Sequence, residues 1–297
     1  MSPDRHSPTH RTTRNHMPLC HDTRIAYSRT GRGDGLPIVL LHAGIADRRM
    51  WDDVLTPLSA SREVVRLDLR GYGESTARPD GPWSPRADVT ATLDALGIDR
   101  AHFVGCSLGA GVCAEVAVTR PDLVASLVLA APGGALITEA TDELRAFFRA
   151  EGTALEAGDL DAAVEANLRA WVDGPQRGPT EVRADLRAAV GVMQRRAFEL
   201  TADWPDSTWE AETELDPPLT ERLGEVTAPT LVIVGARDID AIRSAADHVA
   251  SGIAHARAVL WPDVAHLPPM ERPEEFASAV LAWVDDAGDR AGGVERR

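Results

Sequence analysis

Ser107 lies in the run Val104-Gly105-Cys106-Ser107-Leu108-Gly109-Ala110-Gly111, which has the form Gly-x-Ser-x-Gly. The apolar stretch Ala101-His102-Phe103-Val104 precedes it and a helix-like stretch follows. That is the strand–turn–helix setting of a nucleophile elbow. Such a turn is tight enough to hold the serine backbone in strain, and its glycines remove Cβ atoms that would clash. The hydroxyl is then presented at a helix N-terminus, where partial positive charge favours a developing anion. An ordinary Gly-rich strand-to-helix turn can show the same five residues, so the remaining chemistry must come from elsewhere in the chain.

A serine hydroxyl becomes a useful nucleophile when a base takes its proton and a third group orients that base. The histidines beyond Ser107 are His248, His255 and His266. His248 falls within a helical pattern and His255 in the turn after it, so both read as surface residues. His266 stands in Pro262-Asp263-Val264-Ala265-His266-Leu267-Pro268-Pro269, directly after the last predicted strand. That position is the carboxyl edge of a parallel sheet, where sites in open α/β sheets lie. Gly235-Ala236-Arg237-Asp238-Ile239-Asp240 follows the penultimate strand and offers the acid. Asp238 is the first choice and Asp240 its rival; either could instead cap the next helix. The strand end Ala130-Ala131-Pro132-Gly133 offers no carboxylate. An oxyanion needs two N–H donors. Leu108 supplies one, and the loop His42-Ala43-Gly44-Ile45 supplies the other, with Gly44 ahead of Ala43. His42 reads as a residue that bonds loop backbone and shapes this hole.

The elements that must position these groups alternate. Arg24–Ser28, Pro37–His42, Val64–Leu69, Ala101–Val104, Val124–Ala131, Pro229–Gly235 and Ala256–Trp261 read as strands. Continuous apolar runs among them indicate burial on both faces of a parallel sheet. Helices are expected over Asp88–Leu96, Leu108–Thr119, Ala241–Ala250 and Pro273–Val284. Residues 133–218 lack strand signals and carry apolar residues at helical spacing, such as Leu160, Val164, Leu168 and Trp171. At roughly 85 residues this insertion is too long for a loop and reads as a helical cap. The expected organisation is a disordered leader at 1–16, an α/β core at 17–132 and 219–287, the cap at 133–218 and a polar tail at 288–297. The fold class is α/β, with a mostly parallel central sheet and helices on both faces.

With these strand ends in view, the chain resembles the α/β-hydrolase superfamily from about Arg24 to Val284. The resemblance rests on Leu41-His42-Ala43-Gly44, on Asp68-Leu69-Arg70-Gly71-Tyr72-Gly73-Glu74-Ser75, on Gly105–Gly109, on Gly235-Ala236-Arg237-Asp238 and on Ala265-His266. The order serine, acid, histidine is also that of the family. Ala43 departs from it, because many members carry glycine there. A serine nucleophile sets aside the haloalkane dehalogenases and epoxide hydrolases, which use aspartate. Within the superfamily the chain is similar to the capped branch of 3-oxoadipate enol-lactonases, carbon–carbon bond hydrolases and small-molecule esterases. The resemblance implies attack by Ser107 on an ester, lactone or thioester carbonyl, with His266 as base and Asp238 as its orienter. Cleavage of a carbon–carbon bond in a diketone or dienoic acid by the same residues is the alternative. A non-catalytic ligand-binding protein on the same fold is a third reading, from another class.

Composition narrows the remaining classes. The net charge of −15 over 297 residues makes nucleic acid and anionic membranes poor partners. Every one of the 31 basic residues is arginine, which excludes a Schiff-base or P-loop lysine. Three cysteines without metal-ligand spacing fit a reducing cytoplasm. Neither a metal nor a cofactor is expected. The expected partner is a small-molecule substrate, and the expected state a monomer or homodimer. Cys106 reads as packing beside the serine. Of the cap aromatics Phe147, Phe148, Trp171, Trp204 and Trp209, one or two are expected to touch substrate, Trp171 first. Arg196, in the pair Arg195-Arg196, is the candidate for a substrate carboxylate.

Overall fold

The apolar runs become strands of one seven-stranded sheet: β1 (Tyr27–Thr30), β2 (Ile38–Leu41), β3 (Val64–Leu67), β4 (Ala101–Cys106), β5 (Val124–Ala130), β6 (Thr230–Gly235) and β7 (Ala256–Trp261). The computed structural model describes the backbone of residues 24–292 and the side chains of residues 24–287. The expected leader at 1–16 therefore lies outside the described residues. The strand order is β1-β3-β2-β4-β5-β6-β7. Among the described residues, only β1 runs antiparallel, against β3; every other pairing is parallel. Each residue of β2, β3, β4 and β6 is buried, which is why their sequences are continuous rather than alternating.

The crossovers are helical. The first is α1 (Asp52–Ser59), followed by α2 (Pro85–Ala95) and α3 (Leu108–Thr119). Between β5 and β6 the chain forms α4 (Asp142–Glu156), α5 (Leu160–Asn167), α6 (Ala184–Thr201) and the short α7 (Asp206–Glu210). Then come α8 (Asp240–Gly252), α9 (Pro268–Glu271) and α10 (Pro273–Gly292). α1 packs on α10 and α2 on α3. α3 is buried along most of its length, which accounts for its small and β-branched composition. Trp51, Phe103 and Phe276 are fully buried anchors of the core.

Two helix boundaries differ from the sequence reading. α2 begins at Pro85 rather than Asp88, because the Ser84 hydroxyl accepts the Ala87 N–H and Pro85 fits the first turn. α10 continues through Gly288 to Gly292, so the expected tail is helical over its first residues. A single glycine inside a helix costs about 1 kcal/mol and does not by itself end it.

Candidate active site

The turn after β4 puts Ser107 at φ 53° and ψ −114°, outside the regions open to most L-residues. The surrounding structure holds it there. The Ser107 N–H donates to Ala130 O at 2.9 Å, and Ser107 O accepts the Gly133 N–H at 3.2 Å. A Cβ on Gly109 would lie 2.2 Å from Leu41 O, and one on Gly105 would lie 2.3 Å from Gly109 O. The two glycines are therefore needed for the first turn of α3 to approach the ends of β2 and β4.

Among the described residues, the backbone N–H groups of Leu108 and Gly44 donate to no protein acceptor in this framework. The Gly109 N–H donates to His42 O at 3.1 Å, and that of Ser107 is already used, which leaves Leu108 as the donor beside the hydroxyl. Across the cavity, the Ala43 N–H is directed to Met50 Sδ at 3.3 Å, and Ala43 is fully buried. Gly44 lines the cavity with Ser107 and Leu108. Of the two candidate donors, Gly44 borders the cavity and Ala43 does not. His42 Nε2 accepts the Leu69 N–H at 2.8 Å, so its proton is on Nδ1, which donates to Ala43 O at 2.9 Å. Burial lowers its pKa, and the neutral ring bridges the ends of β2 and β3. It shapes the loop, as its position after β2 suggested.

His266 and Asp238 meet at the other side of the cavity. His266 Nδ1 lies 2.8 Å from Asp238 Oδ2, and both side chains are almost wholly buried. Asp238 Oδ1 also accepts the Ile239 N–H at 2.8 Å, which fixes the carboxylate plane. Asp240 is exposed and pairs with Arg243 instead. His248 bonds Thr220 O and His255 is exposed. Ser107 and His266 open on the same cavity. Cys106 is buried, and its thiol donates to His266 O at 3.6 Å. Burial, aided by the charges of Asp238 and Glu271, pushes that thiol well up, so it remains a neutral packing group.

One arrangement was not legible in the sequence. The loop carrying His266 is pinned by Glu271 of α9, whose Oε1 accepts the N–H groups of Ala265 at 3.0 Å and Leu267 at 3.2 Å. Its Oε2 pairs with Arg177 at 2.9 Å. Arg177 in turn donates to the carbonyls of Val172 and Asp173, both at 2.8 Å. Those carbonyls belong to the π-helical turn Leu168–Asp173, which carries Trp171. The Trp171 ring centroid lies 4.5 Å from that of His266. A buried ion pair thus ties the cap to the histidine loop.

The cavity between cap and sheet has a volume of about 1030 Å³. Trp171, Phe147, Phe148 and Trp209 line it; Trp204 packs against Trp209 with its ring tilted. Tyr72 contributes its phenol, pushed up to about 12 by burial and by the charges of Glu151 and Glu212. Arg196 is not part of this wall. It is exposed and lines a separate surface groove with Asp47, Glu74 and Glu199. On α6 the helical period turns Gln194, Ala197, Phe198 and Thr201 to the cavity, which places Arg195 and Arg196 on the other faces. Arg195 pairs with Asp161. The phase set by the buried Val190, Met193 and Ala197 was the available signal. Among the described residues, no group of His, Cys, Asp and Glu side chains could hold a metal ion, and no helix is long and apolar enough to cross a membrane.

Residues 38–279 match the alpha/beta hydrolase family, and the chain belongs to it. Among its relatives, a protein of Mycobacterium tuberculosis provisionally named non-heme bromoperoxidase BpoC is 31% identical over 270 residues, 87% of this chain and 97% of the relative. The strigolactone esterase D14 of Arabidopsis thaliana is 28% identical, covering 83% of this chain and 91% of its own. The solved structure of Est816, described as an N-acyl homoserine lactone degrading enzyme, is 26% identical with a TM-score of 0.69, over 87% of this chain and 96% of that one.

Proposed function

We propose that the protein hydrolyses an ester, lactone or thioester bond of a small organic substrate through an acyl-enzyme on Ser107. The observation that carries this reading is the buried His266–Asp238 hydrogen bond at 2.8 Å, opening on the cavity that also exposes the strained Ser107. In this mechanism His266 takes the hydroxyl proton as Ser107 attacks the carbonyl. Asp238 holds Nδ1–H and stabilises the imidazolium. The N–H groups of Leu108 and Gly44 receive the oxyanion. His266 then protonates the leaving group, and later activates the water that releases the acid. Trp171 limits bulk water at the imidazole by covering one face of the ring. An esterase and a lactone-degrading enzyme among the relatives support the reaction class. The carbon–carbon reading asks for a cation to hold a dienoate carboxylate, and no arginine lines the cavity among the described residues. A reducing compartment suits Cys106 and Cys113, both free and buried, and we place the protein in the cytoplasm on that ground.

The direct test is labelling with a fluorophosphonate, followed by mass spectrometry of the adduct. The expected result is one adduct on Ser107, absent in Ser107→Ala and strongly slowed in His266→Ala. Equal labelling of wild type and Ser107→Ala would remove Ser107 from the mechanism. A panel of short-chain esters, lactones and β-diketones then separates the bond types.

A further inference from the structure

Three helices of the cap turn carboxylate or amide side chains to the cavity: Glu151 from α4, Asn167 from α5 and Gln194 from α6, which also brings Thr201. Their neighbours on the same wall are mostly apolar, and Glu151 is half-buried. Asn167 and Gln194 are 2% and 4% exposed. Asn167 Nδ2 donates to Glu151 Oε1 at 2.7 Å and to Ala163 O at 3.0 Å. Both of its N–H bonds are therefore committed to protein, and the carboxylate is held in one orientation. Gln194 Oε1 is buried without a hydrogen-bond partner among the described residues. A buried acceptor left in this way is costly and is ordinarily met by a ligand or a water. The charges add a sign. Glu151 and Asp206 line the cavity, and His266 is its one basic side chain among the described residues. Burial pushes the Glu151 carboxyl upward, and the Asn167 hydrogen bond opposes that by favouring the ionised form.

We propose that Glu151, Asn167 and Gln194 form a recognition subsite for a neutral substrate that carries a hydrogen-bond donor, a hydroxyl or an amide N–H, remote from the scissile carbonyl, and that the subsite excludes substrates bearing a free carboxylate there. The proposal rests on the serine-hydrolase reading for where the carbonyl sits, and deepens it. The subsite's fixed charge is an acceptor, so a donor satisfies it without repulsion. A carboxylate brought to the same place would lose its hydration and meet Glu151 with no arginine to offset the charge. The aromatic wall of Phe147 and Phe148 would hold the connecting chain.

The test uses three esters of equal length: methyl 6-hydroxyhexanoate, methyl hexanoate and monomethyl adipate. Hydrolysis by the full chain is followed at constant pH. The expected order of kcat/KM is hydroxyl above methyl above carboxylate, with about 10- to 100-fold between the ends, the range for hydrogen bonds to a charged group. Glu151→Gln should raise the ratio of adipate ester to hydroxy ester at least tenfold. Gln194→Leu should reduce the preference for the hydroxy ester over methyl hexanoate about tenfold. Binding of the same three esters to Ser107→Ala, read by tryptophan fluorescence, needs no turnover and should show the same order. An adipate ester cleaved or bound as well as the hydroxy ester overturns the subsite, as do ratios that move in neither variant. The two readings fail separately. A labelled Ser107 with no donor preference defeats the subsite alone, whereas an unlabelled Ser107 with the binding preference intact defeats the nucleophile alone.

Discussion

The Arg177–Glu271 pair offers a quantitative test of how the cap holds the histidine loop. Both side chains are 7% exposed and lie 2.9 Å apart. Removing one partner of such a pair leaves a buried charge unmatched, at about 3–5 kcal/mol. Arg177→Met also frees the carbonyls of Val172 and Asp173, so its loss should lie at the upper end of that range. Glu271→Gln keeps an oxygen for the N–H groups of Ala265 and Leu267 but removes the charge. Once Glu271 is neutral, Arg177→Met no longer strands a carboxylate. The double variant should therefore be less destabilised than the sum of the singles by about 1–3 kcal/mol, the range for contacting pairs. Urea unfolding of the four proteins at pH 7 measures this. Activity gives a second reading. Glu271→Leu leaves two N–H groups beside His266 unmet, and a displacement of the imidazole by about 1 Å would lower kcat roughly 100-fold and slow labelling of Ser107 in parallel. Additivity within about 0.5 kcal/mol, or a Glu271→Leu variant with wild-type kcat, would refute the idea that this pair couples cap to loop.

Two further outcomes follow from particular contacts. Gly109→Ala must move the first turn of α3 away from Leu41 O, 2.2 Å from the new Cβ, and overpacking of this kind costs about 1–3 kcal/mol. Calorimetry should show a lower Tm, and fluorophosphonate labelling should fall more steeply than stability, since the same turn sets the oxyanion donors. Glu115 is 7% exposed, and burial, despite nearby Arg86, raises its pKa from an ordinary 4.5 to about 7. Because the folded state keeps the proton longer than the unfolded state, this group contributes nothing below pH 4.5, destabilises progressively as pH rises from 4.5 to 7, and leaves a constant penalty above that. The full penalty is about 3 kcal/mol. Glu115→Gln should flatten the stability profile over that window and stabilise the protein at pH 8; a profile unchanged in slope would show that Glu115 is not the group responsible.

Much of this molecule was legible in the linear chain, for local reasons. Parallel strands buried on both faces must be continuous apolar runs, so β2, β4, β5 and β6 declared themselves. Chemistry at a strand's carboxyl end lies within a few residues of that strand, so Ser107 and His266 could be proposed by position, and the acid and the second N–H donor narrowed to Asp238 or Asp240 and to Gly44 or Ala43. Other features needed the folded structure, because they depend on which residues distant in sequence become neighbours. Asp238 and Asp240 are two residues apart, and only the rotation of the chain into α8 turns one to His266 and the other to solvent. Arg196 looked suited to a carboxylate, yet the phase of α6 against the sheet carries it out of the cavity and brings Gln194 in. Glu271 and Arg177 are 94 residues apart, and nothing local to either marks it as the partner of the other. The elements and the candidate site residues are thus written in short stretches of sequence, while the wall of the cavity beside Ser107 exists only once α4, α5 and α6 come together over the sheet.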